Sequence, residues 1–191
     1  VNIGEIPKKP YFAYLVTKLV RIGFSYRNAV IWHTQPMHKR TAWGTFCSPK
    51  NPFLLSPFQY VFIFSKGIGS FEKKAPIDIR REEFIEWTYG IWNIKYETKK
   101  FIEAQFPEEL AKRSIKLFSF VGDVVLDPFL GSGTTMKVCQ DLGRSCIGIE
   151  INPEYCEIVK KRCFGRQFLN REVEYHFDVY PNLTVREMIR K

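Results

Sequence analysis

The chain has 191 residues, enough for one domain with a sizeable hydrophobic core and too few for two ordinary domains. Its 29 Lys and Arg residues outnumber its 20 Asp and Glu residues, and the net charge of +9 favours a polyanionic partner such as nucleic acid. No apolar run approaches the roughly 20 residues needed to span a bilayer, and five cysteines without a C-x-x-C pair fit reduced thiols better than disulfides. These features predict a soluble intracellular protein.

The first third of the chain predicts a strand, a helix and a second strand. Residues 1–4 are typical of the end of a buried strand, so we expect further sequence upstream. An amphipathic helix is predicted over residues 11–22 and a short apolar strand over residues 28–32. Together these elements would form one part of a sheet.

The middle of the chain is less regular. Residues 33–57 combine four prolines with several aromatic side chains, which predicts an irregular loop region. A sheet strand follows at about residues 59–65. Residues 67–100 show no clear hydrophobic period, so we expect a linker or recognition segment there.

The last part of the chain alternates helices and strands in the order of a βαβ unit, which predicts a parallel sheet. The predicted elements are a helix at 107–118, a strand at 124–127, a helix at 134–142, a strand at 146–150, a helix at 153–163, a strand at 173–179 and a terminal helix at 184–190.

A glycine-rich turn lies between the predicted strand 124–127 and the helix after it, with the sequence D-P-F-L-G-S-G-T-T from Asp127 to Thr135. Gly131 and Gly133 permit positive φ and close approach of a ligand. Asp127 suits a positively charged amino group and would repel a pyrophosphate, while Glu150 could accept both hydroxyl hydrogens of a ribose. The pattern predicts a nucleoside-like ligand.

Two other interpretations of the glycine turn remain open. A dinucleotide site would require G-x-G-x-x-G, but Met136 occupies the third glycine position. The turn could also serve packing alone. The flanking acids Asp127 and Glu150 favour the nucleoside site over both.

The same residues resemble a known family. Residues 127–135 resemble the D-P-F-x-G-S-G-T-T cofactor motif of bacterial and archaeal DNA amino-methyltransferases, and G-I-E-I-N-P-E-Y at 148–155 is similar to the stretch that follows it. A-Q-F-P-E-E-L at 104–110 resembles the family's H-P-A-x-F-P-x-x-L element, with Ile102 and Glu103 in place of its His and Pro. Residues 43–52 and 60–67 resemble the segment that precedes this element. The chain thus resembles the C-terminal portion of the adenine-N6 and cytosine-N4 enzymes with permuted motif order.

The resemblance implies that the cofactor is S-adenosylmethionine. Its amino group would meet Asp127, its ribose Glu150, and its methionine end Phe106 and Pro107, while Phe129 and Ile151 would form walls of the pocket. For Phe106 and Ile151, plain core packing is the alternative. The implied cofactor-binding residues are Phe106, Pro107, Asp127, Pro128, Phe129, Gly131, Ser132, Gly133, Thr134, Thr135, Glu150, Ile151 and Asn152.

The resemblance also implies a fold, and the sequence lacks one motif that this fold carries. The expected fold is α/β, a doubly wound Rossmann-like methyltransferase sheet with a loop-rich DNA-recognition insertion. The family's catalytic (Ser/Asp/Asn)-Pro-Pro-aromatic motif requires a Pro-Pro pair, and the 191 residues contain none. We therefore assign no catalytic residue and expect the sheet to lack its central catalytic strand. An upstream segment or a second chain would supply that strand, since a parallel sheet without it leaves buried backbone groups unpaired.

The implied organisation has three parts, with residues 1–32 in the catalytic sheet, 33–100 forming the target-recognition region and 101–191 forming the cofactor-binding βαβ part. Residues 33–81 hold eight Lys and Arg residues against two acids. Phosphate contacts and base stacking are expected there, and a solvated basic loop is the alternative. The DNA-binding candidates are Lys39, Arg40, Trp43 and Lys50.

His33, His38 and Cys47 do not have the spacing of a tetrahedral zinc site, so no metal is predicted. The predicted function is site-specific methylation of adenine N6 or cytosine N4 in double-stranded DNA, as in restriction-modification, within the prokaryotic cytoplasm and at the nucleoid. The sequence does not distinguish the two bases, and it leaves a homodimer open. The alternatives are a non-catalytic DNA- or cofactor-binding subunit of a split enzyme, and a methyltransferase acting on RNA or a small molecule.

Overall fold

The computed structural model describes residues 10–34, 45, 47–52, 57–67, 75–97, 101–102 and 105–164. The strands and helix predicted at 1–4, 173–179 and 184–190 lie outside these residues. In chain order the elements are α1 (Tyr11–Arg21), β1 (Phe24–His33), β2 (Phe58–Lys66), α2 (Arg81–Trp87), β3 (Ile91–Asn93), α3 (Glu108–Phe118), β4 (Val124–Asp127), α4 (Thr134–Asp141), β5 (Ser145–Gly148) and α5 (Pro153–Phe164).

One sheet has the strand order β2-β1-β3, with β1 antiparallel to β2 and parallel to β3. β1 begins at Phe24, four residues before the predicted strand, because its backbone pairing with β2 starts there, although these first residues are mostly exposed. The core of this sheet is formed by the buried side chains of Val30, Trp32, Trp92 and Ile94.

No helix or strand was predicted within residues 67–100, but residues 81–93 form α2, a turn and β3. α2 shows no apolar period because ionic contacts hold much of its inner side. The buried Glu83 accepts hydrogen bonds from Lys116 Nζ at 2.8 Å and from the Arg80 N–H at 3.0 Å. These bonds, with Lys116 contributing most, lower the pKa of Glu83 to about 2.

The second sheet is the predicted βαβ unit, in which β4 and β5 run parallel and α4 connects them. α3 and α4 pack on one face of this sheet, where Ala111, Ile115, Val138 and Cys139 form a buried cluster against Val125. β5 was predicted to reach Glu150 and instead ends at Gly148. It ends there because the chain turns towards α5, and the Glu150 carboxylate accepts the Asn152 N–H at 2.8 Å in that turn.

Phe106 lies between the two sheets and packs against the core clusters of both, so the start of α3 joins them. The face of β4 and β5 opposite α4 is different. Successive side chains of a strand point to opposite faces, and the alternate residues here are apolar yet exposed, with Val124 at 62% and Leu126 at 59%. Ile147 and Ile149 continue the same exposed stripe.

An ion pair between the buried Arg144 and the half-buried Asp78 links two distant parts of the chain. Arg144, whose side chain has no exposed surface, contacts Asp78 through both terminal nitrogens and also donates to the Ser119 carbonyl oxygen at 2.9 Å. The hydrogen bond from Arg144 holds the pKa of Asp78 below its usual value. This pair fixes the segment before α2 against the start of β5.

Candidate cofactor site at the glycine turn

The glycine turn connects the end of β4 to the start of α4. Gly131 and Gly133 have φ angles of +58° and +78°, in the left-handed region that favours glycine. A Cβ atom on Gly133 would lie 3.2 Å from Val159 Cγ2 and 3.3 Å from Cys163 Sγ, so α5 also closes the space behind the turn. Both glycines are therefore required by the local conformation.

Asp127 ends β4 and shapes the turn with its own side chain. Oδ1 accepts the Phe129 N–H at 3.0 Å, and Oδ2 accepts the Thr135 hydroxyl at 2.6 Å. A carboxylate oxygen has two lone pairs, so both oxygens keep capacity for a cationic ligand group. Asp127 can thus hold the turn and a ligand amino group together.

Glu150 lies two residues beyond β5 and contacts the same turn. Its Oε2 accepts the Gly131 N–H at 2.7 Å, and its Oε1 accepts the Asn152 N–H at 2.8 Å. The sequence predicted a ribose contact for Glu150 but did not predict that this side chain also fixes the glycine turn. The two acids thus both bond to the glycine turn, Asp127 through Phe129 and Thr135 and Glu150 through Gly131.

Two large apolar side chains next to these acids are open to solvent. Phe129 is 87% exposed and Ile151 is 84% exposed, and Pro128 beside Phe129 is exposed as well. Exposed apolar side chains grouped beside polar ones are typical of a binding surface. Ile151 therefore does not have the core-packing role that was its alternative.

Phe106 and Pro107 are placed differently from Phe129 and Ile151. Phe106 packs in the core between the sheets, and Pro107 is buried as the residue that precedes α3. A cavity of about 450 Å³ lies beside Phe106, between α3, β2 and β4. Thr135 and Phe106 are the predicted cofactor residues that line it, and its other walls are mainly apolar, including Val61, Leu110 and Val125.

Ser132 and Thr134, both predicted cofactor residues, are each only 2% exposed and point away from solvent. Ser132 Oγ donates to Gln105 Oε1 at 3.2 Å, and Arg162 Nη1 donates to Thr134 Oγ1 at 3.1 Å. Gln105 and Arg162 were not predicted from the sequence as site residues. A signal for Arg162 was available, because it lies three residues after the buried Val159 and so shares the inner face of α5.

The predicted DNA-binding residues Lys39, Arg40 and Trp43 lie outside the described residues, and Lys50 is exposed. His33 contacts Asn93 Oδ1 through Nδ1 at 3.0 Å. Among the described residues, no group of three or more His, Cys, Asp or Glu side chains could hold a metal ion. Within the same residues, no helix is long and apolar enough to cross a membrane.

A parallel βαβ unit with a glycine turn, an acid at the end of its first strand and a second acid after its next strand defines an α/β protein that binds a nucleoside-type cofactor. Residues 1–161 match the family model described as DNA methylase. The chain therefore belongs to the DNA methylase family, which confirms the resemblance recognised in the sequence.

Curated relatives agree with the family match. The chain is 32% identical over 200 residues to the type II methyltransferase M.MjaI of Methanocaldococcus jannaschii, covering 90% of this chain and 66% of that protein. It is 27% identical to the type II methyltransferase M.MthZI of Methanothermobacter thermautotrophicus, covering 91% of this chain and 55% of that protein. The chain thus spans between half and two thirds of the length of these relatives.

Solved structures confirm the predicted fold class. TTHA0409 of Thermus thermophilus, in complex with S-adenosyl-L-methionine, superposes with a TM-score of 0.65 at 31% identity and covers 80% of this chain and 58% of its own length. The PvuII cytosine-N4-specific DNA methyltransferase shares the fold, with a TM-score of 0.60 at 20% identity over 91% of this chain and 62% of its own length. S-adenosylmethionine, the cofactor predicted from the sequence, is thus the cofactor seen bound to this fold.

Proposed function

We propose that this chain is the cofactor-binding and DNA-binding portion of a site-specific DNA methyltransferase of a restriction-modification system, which modifies adenine N6 or cytosine N4. The observation that carries the proposal is the pair of carboxylates, Asp127 and Glu150, that both accept hydrogen bonds from the glycine turn. They suit a cofactor with an amino group and a ribose, and they oppose a phosphate. The family match and the S-adenosylmethionine complex of TTHA0409 support the same cofactor.

In this proposal S-adenosylmethionine supplies an electrophilic methyl group on a sulfonium. The chain's own residues bind and orient it. Asp127 accepts hydrogen bonds from the amino group, Glu150 accepts hydrogen bonds from the ribose, and the exposed rings and branches of Phe129 and Ile151 cover apolar cofactor surface. Gly131, Ser132, Gly133 and Thr134 set the backbone of the turn, while Phe106 and Pro107 would lie near the methionine end of the cofactor. The target amino group is oriented from elsewhere, since no Pro-Pro-aromatic motif occurs in these 191 residues.

The catalytic strand, in our proposal, comes from outside these residues, as upstream sequence or as a second chain. Three features of the described residues support this. β5 is the strand paired with β4, so the other edge of β4 has no strand partner within the described part of the chain. Val124 and Leu126 on β4 are apolar and more than half exposed. The apolar cavity beside Phe106 lies between β2 and β4, and the apolar side chains of a further strand placed there would be buried in it.

DNA binding is assigned to residues 33–100, with Lys39, Arg40, Trp43 and Lys50 as the candidates. A flipped base has to be stacked and its flanking phosphates held, and the aromatic and basic composition of residues 33–81 supports both tasks. Replacing Lys39 and Arg40 by Ala should lower the affinity for duplex DNA and reduce its salt dependence while cofactor binding stays constant. An unchanged salt slope would contradict a phosphate contact by this segment.

The proposal is tested by two measurements on the purified protein. Calorimetry should detect S-adenosylmethionine binding, and failure to bind would refute the cofactor assignment. Transfer of a labelled methyl group to duplex DNA, RNA or nucleosides should be seen with duplex DNA and only when a Pro-Pro-aromatic segment is present. Activity on RNA or nucleosides instead would refute the substrate class.

A second candidate is a non-catalytic DNA- or cofactor-binding subunit of a split methyltransferase, and the absence of a Pro-Pro pair favours it. The intact mass of the folded material, with identification of any co-purifying chain, separates the two. A chain of 22.5 kDa that binds cofactor and DNA alone, and gains no activity from any partner, would favour the subunit.

A further inference from the structure

The glycine turn is held from behind by a buried arginine on α5. The side chain of Arg162 is 7% exposed. Its Nη1 donates to the Ser132 carbonyl oxygen at 3.2 Å, to Ser132 Oγ at 3.1 Å and to Thr134 Oγ1 at 3.1 Å. One guanidinium nitrogen thus contacts the residues on both sides of Gly133, the left-handed residue that precedes α4.

The second residue behind the turn is Gln105. Its Oε1 accepts the hydroxyl hydrogen of Ser132 at 3.2 Å and the Phe101 N–H at 3.0 Å, while its Nε2 donates to Glu97 at 3.3 Å. Gln105 is itself buried, at 7% exposure. Ser132 is therefore fixed from two directions, by Gln105 and by Arg162.

The positive charge of Arg162 is balanced within the same network. Its Nη2 donates to Glu108 Oε1 at 2.6 Å, and Lys137 Nζ donates to Glu108 Oε2 at 2.9 Å. Burial raises the pKa of Glu108, but these hydrogen bonds together outweigh burial, and the pKa lies below its usual value. Buried charges need such partners. Because the charge is neutralised locally, what Arg162 adds at the turn is mainly the geometry of its planar fork.

We propose that Arg162 is a positioning residue for the cofactor site. It sets the conformation of residues 132–134, and through them the path of the turn from which Gly131 and Glu150 face the ligand. The inference rests on the proposed function, because that proposal places S-adenosylmethionine at this turn. A lysine keeps the charge and one ion pair but cannot reproduce a fork that reaches Glu108 and the turn together.

The test uses the full chain and three variants. Arg162→Gln removes the charge and the fork, and Arg162→Lys removes the fork alone. Lys161→Gln is the matched control, because it removes the same charge from the adjacent, exposed position of α5. For each protein we would measure S-adenosylmethionine affinity by calorimetry, duplex DNA affinity, and the thermal midpoint without ligand.

We expect Arg162→Gln to weaken S-adenosylmethionine binding by about ten- to hundredfold, with DNA affinity unchanged and Lys161→Gln equal to wild type. Arg162→Lys should recover most of the thermal midpoint and little of the cofactor affinity, a split that a purely structural role would not give. If Arg162→Gln does not fold, Arg162→Lys decides the question. Wild-type cofactor affinity in a folded Arg162→Lys overturns the inference and leaves the proposed function intact. No binding by the wild type refutes the proposed function itself.

Discussion

Replacing Glu150 tests two proposed roles of this side chain separately. The first is to stabilise the glycine turn, and the second is to bind the cofactor. Glu150 accepts two backbone N–H groups, from Gly131 at 2.7 Å and from Asn152 at 2.8 Å. Bonds to a charged acceptor contribute about 1.5–3 kcal/mol each, but Glu150 is only half-buried and water would replace part of them. We therefore expect Glu150→Ala to lower the free energy of unfolding by about 1–3 kcal/mol.

Separately, the same variant should weaken S-adenosylmethionine binding by about 1–3 kcal/mol, a 5- to 150-fold loss of affinity, because the ribose hydroxyls lose their acceptors. Glu150→Gln keeps one carbonyl oxygen for the turn, so its stability should be closer to wild type while its affinity stays low. Calorimetry well below the thermal midpoint measures the affinity, and urea unfolding measures the stability.

Glu154→Ala is the control, since Glu154 is an exposed acid in the first turn of α5. It removes the same charge nearby and should leave both quantities almost unchanged. The assignment of Glu150 to the ribose is refuted if Glu150→Ala is destabilised as expected but binds S-adenosylmethionine as tightly as Glu154→Ala does.

Three further predictions concern stability and DNA binding. Glu83→Gln should destabilise the protein fully above pH 4.5 and progressively less as the pH falls towards 2, because Glu83, with its pKa lowered to about 2, stabilises the fold only while it is ionised. Urea unfolding of both proteins at several pH values measures this effect. A difference in unfolding free energy that stays constant with pH would contradict it. Gly133→Ala should cost more stability than Gly122→Ala, by about 1 kcal/mol or more. Both glycines have positive φ, but only at Gly133 would an added Cβ contact α5. Equal melting temperatures of the two variants would count against this. Lys50→Ala should reduce the salt slope of DNA binding by about one, measured by fluorescence anisotropy against salt, and an unchanged slope would remove Lys50 from the interface.

The βαβ unit could be predicted from the sequence because its signals are local. An apolar strand, a glycine turn and a helix follow one another between Val124 and Asp141, and each has its own pattern. The two acids that flank Gly131 were predicted as a ligand site for the same reason. The hydrogen bonds by which the same acids shape the turn depend on how β5 pairs with β4. The sequence of neither strand alone predicts that pairing.

The rest was missed where stability comes from distant partners. α2 is held through Glu83 and Lys116, which are 33 residues apart, so its own seven residues show no apolar face. Gln105 lies 27 residues before Ser132 and Arg162 lies 30 residues after it, yet both contact the Ser132 side chain. Contacts of this kind become visible only when the chain is folded.

The pairing of Asp78 with Arg144 has a consequence for the order of events during synthesis. The two residues are 66 positions apart, so the carboxylate emerges from the ribosome long before its partner does. Until Arg144 follows, the segment before α2 lacks its ion-pair partner. We expect protease sensitivity in that segment of a stalled nascent chain, and its loss once translation has passed β5. Because translation is vectorial, the middle of the chain would be anchored only after the residues of the glycine turn, at 131–133, have been synthesised.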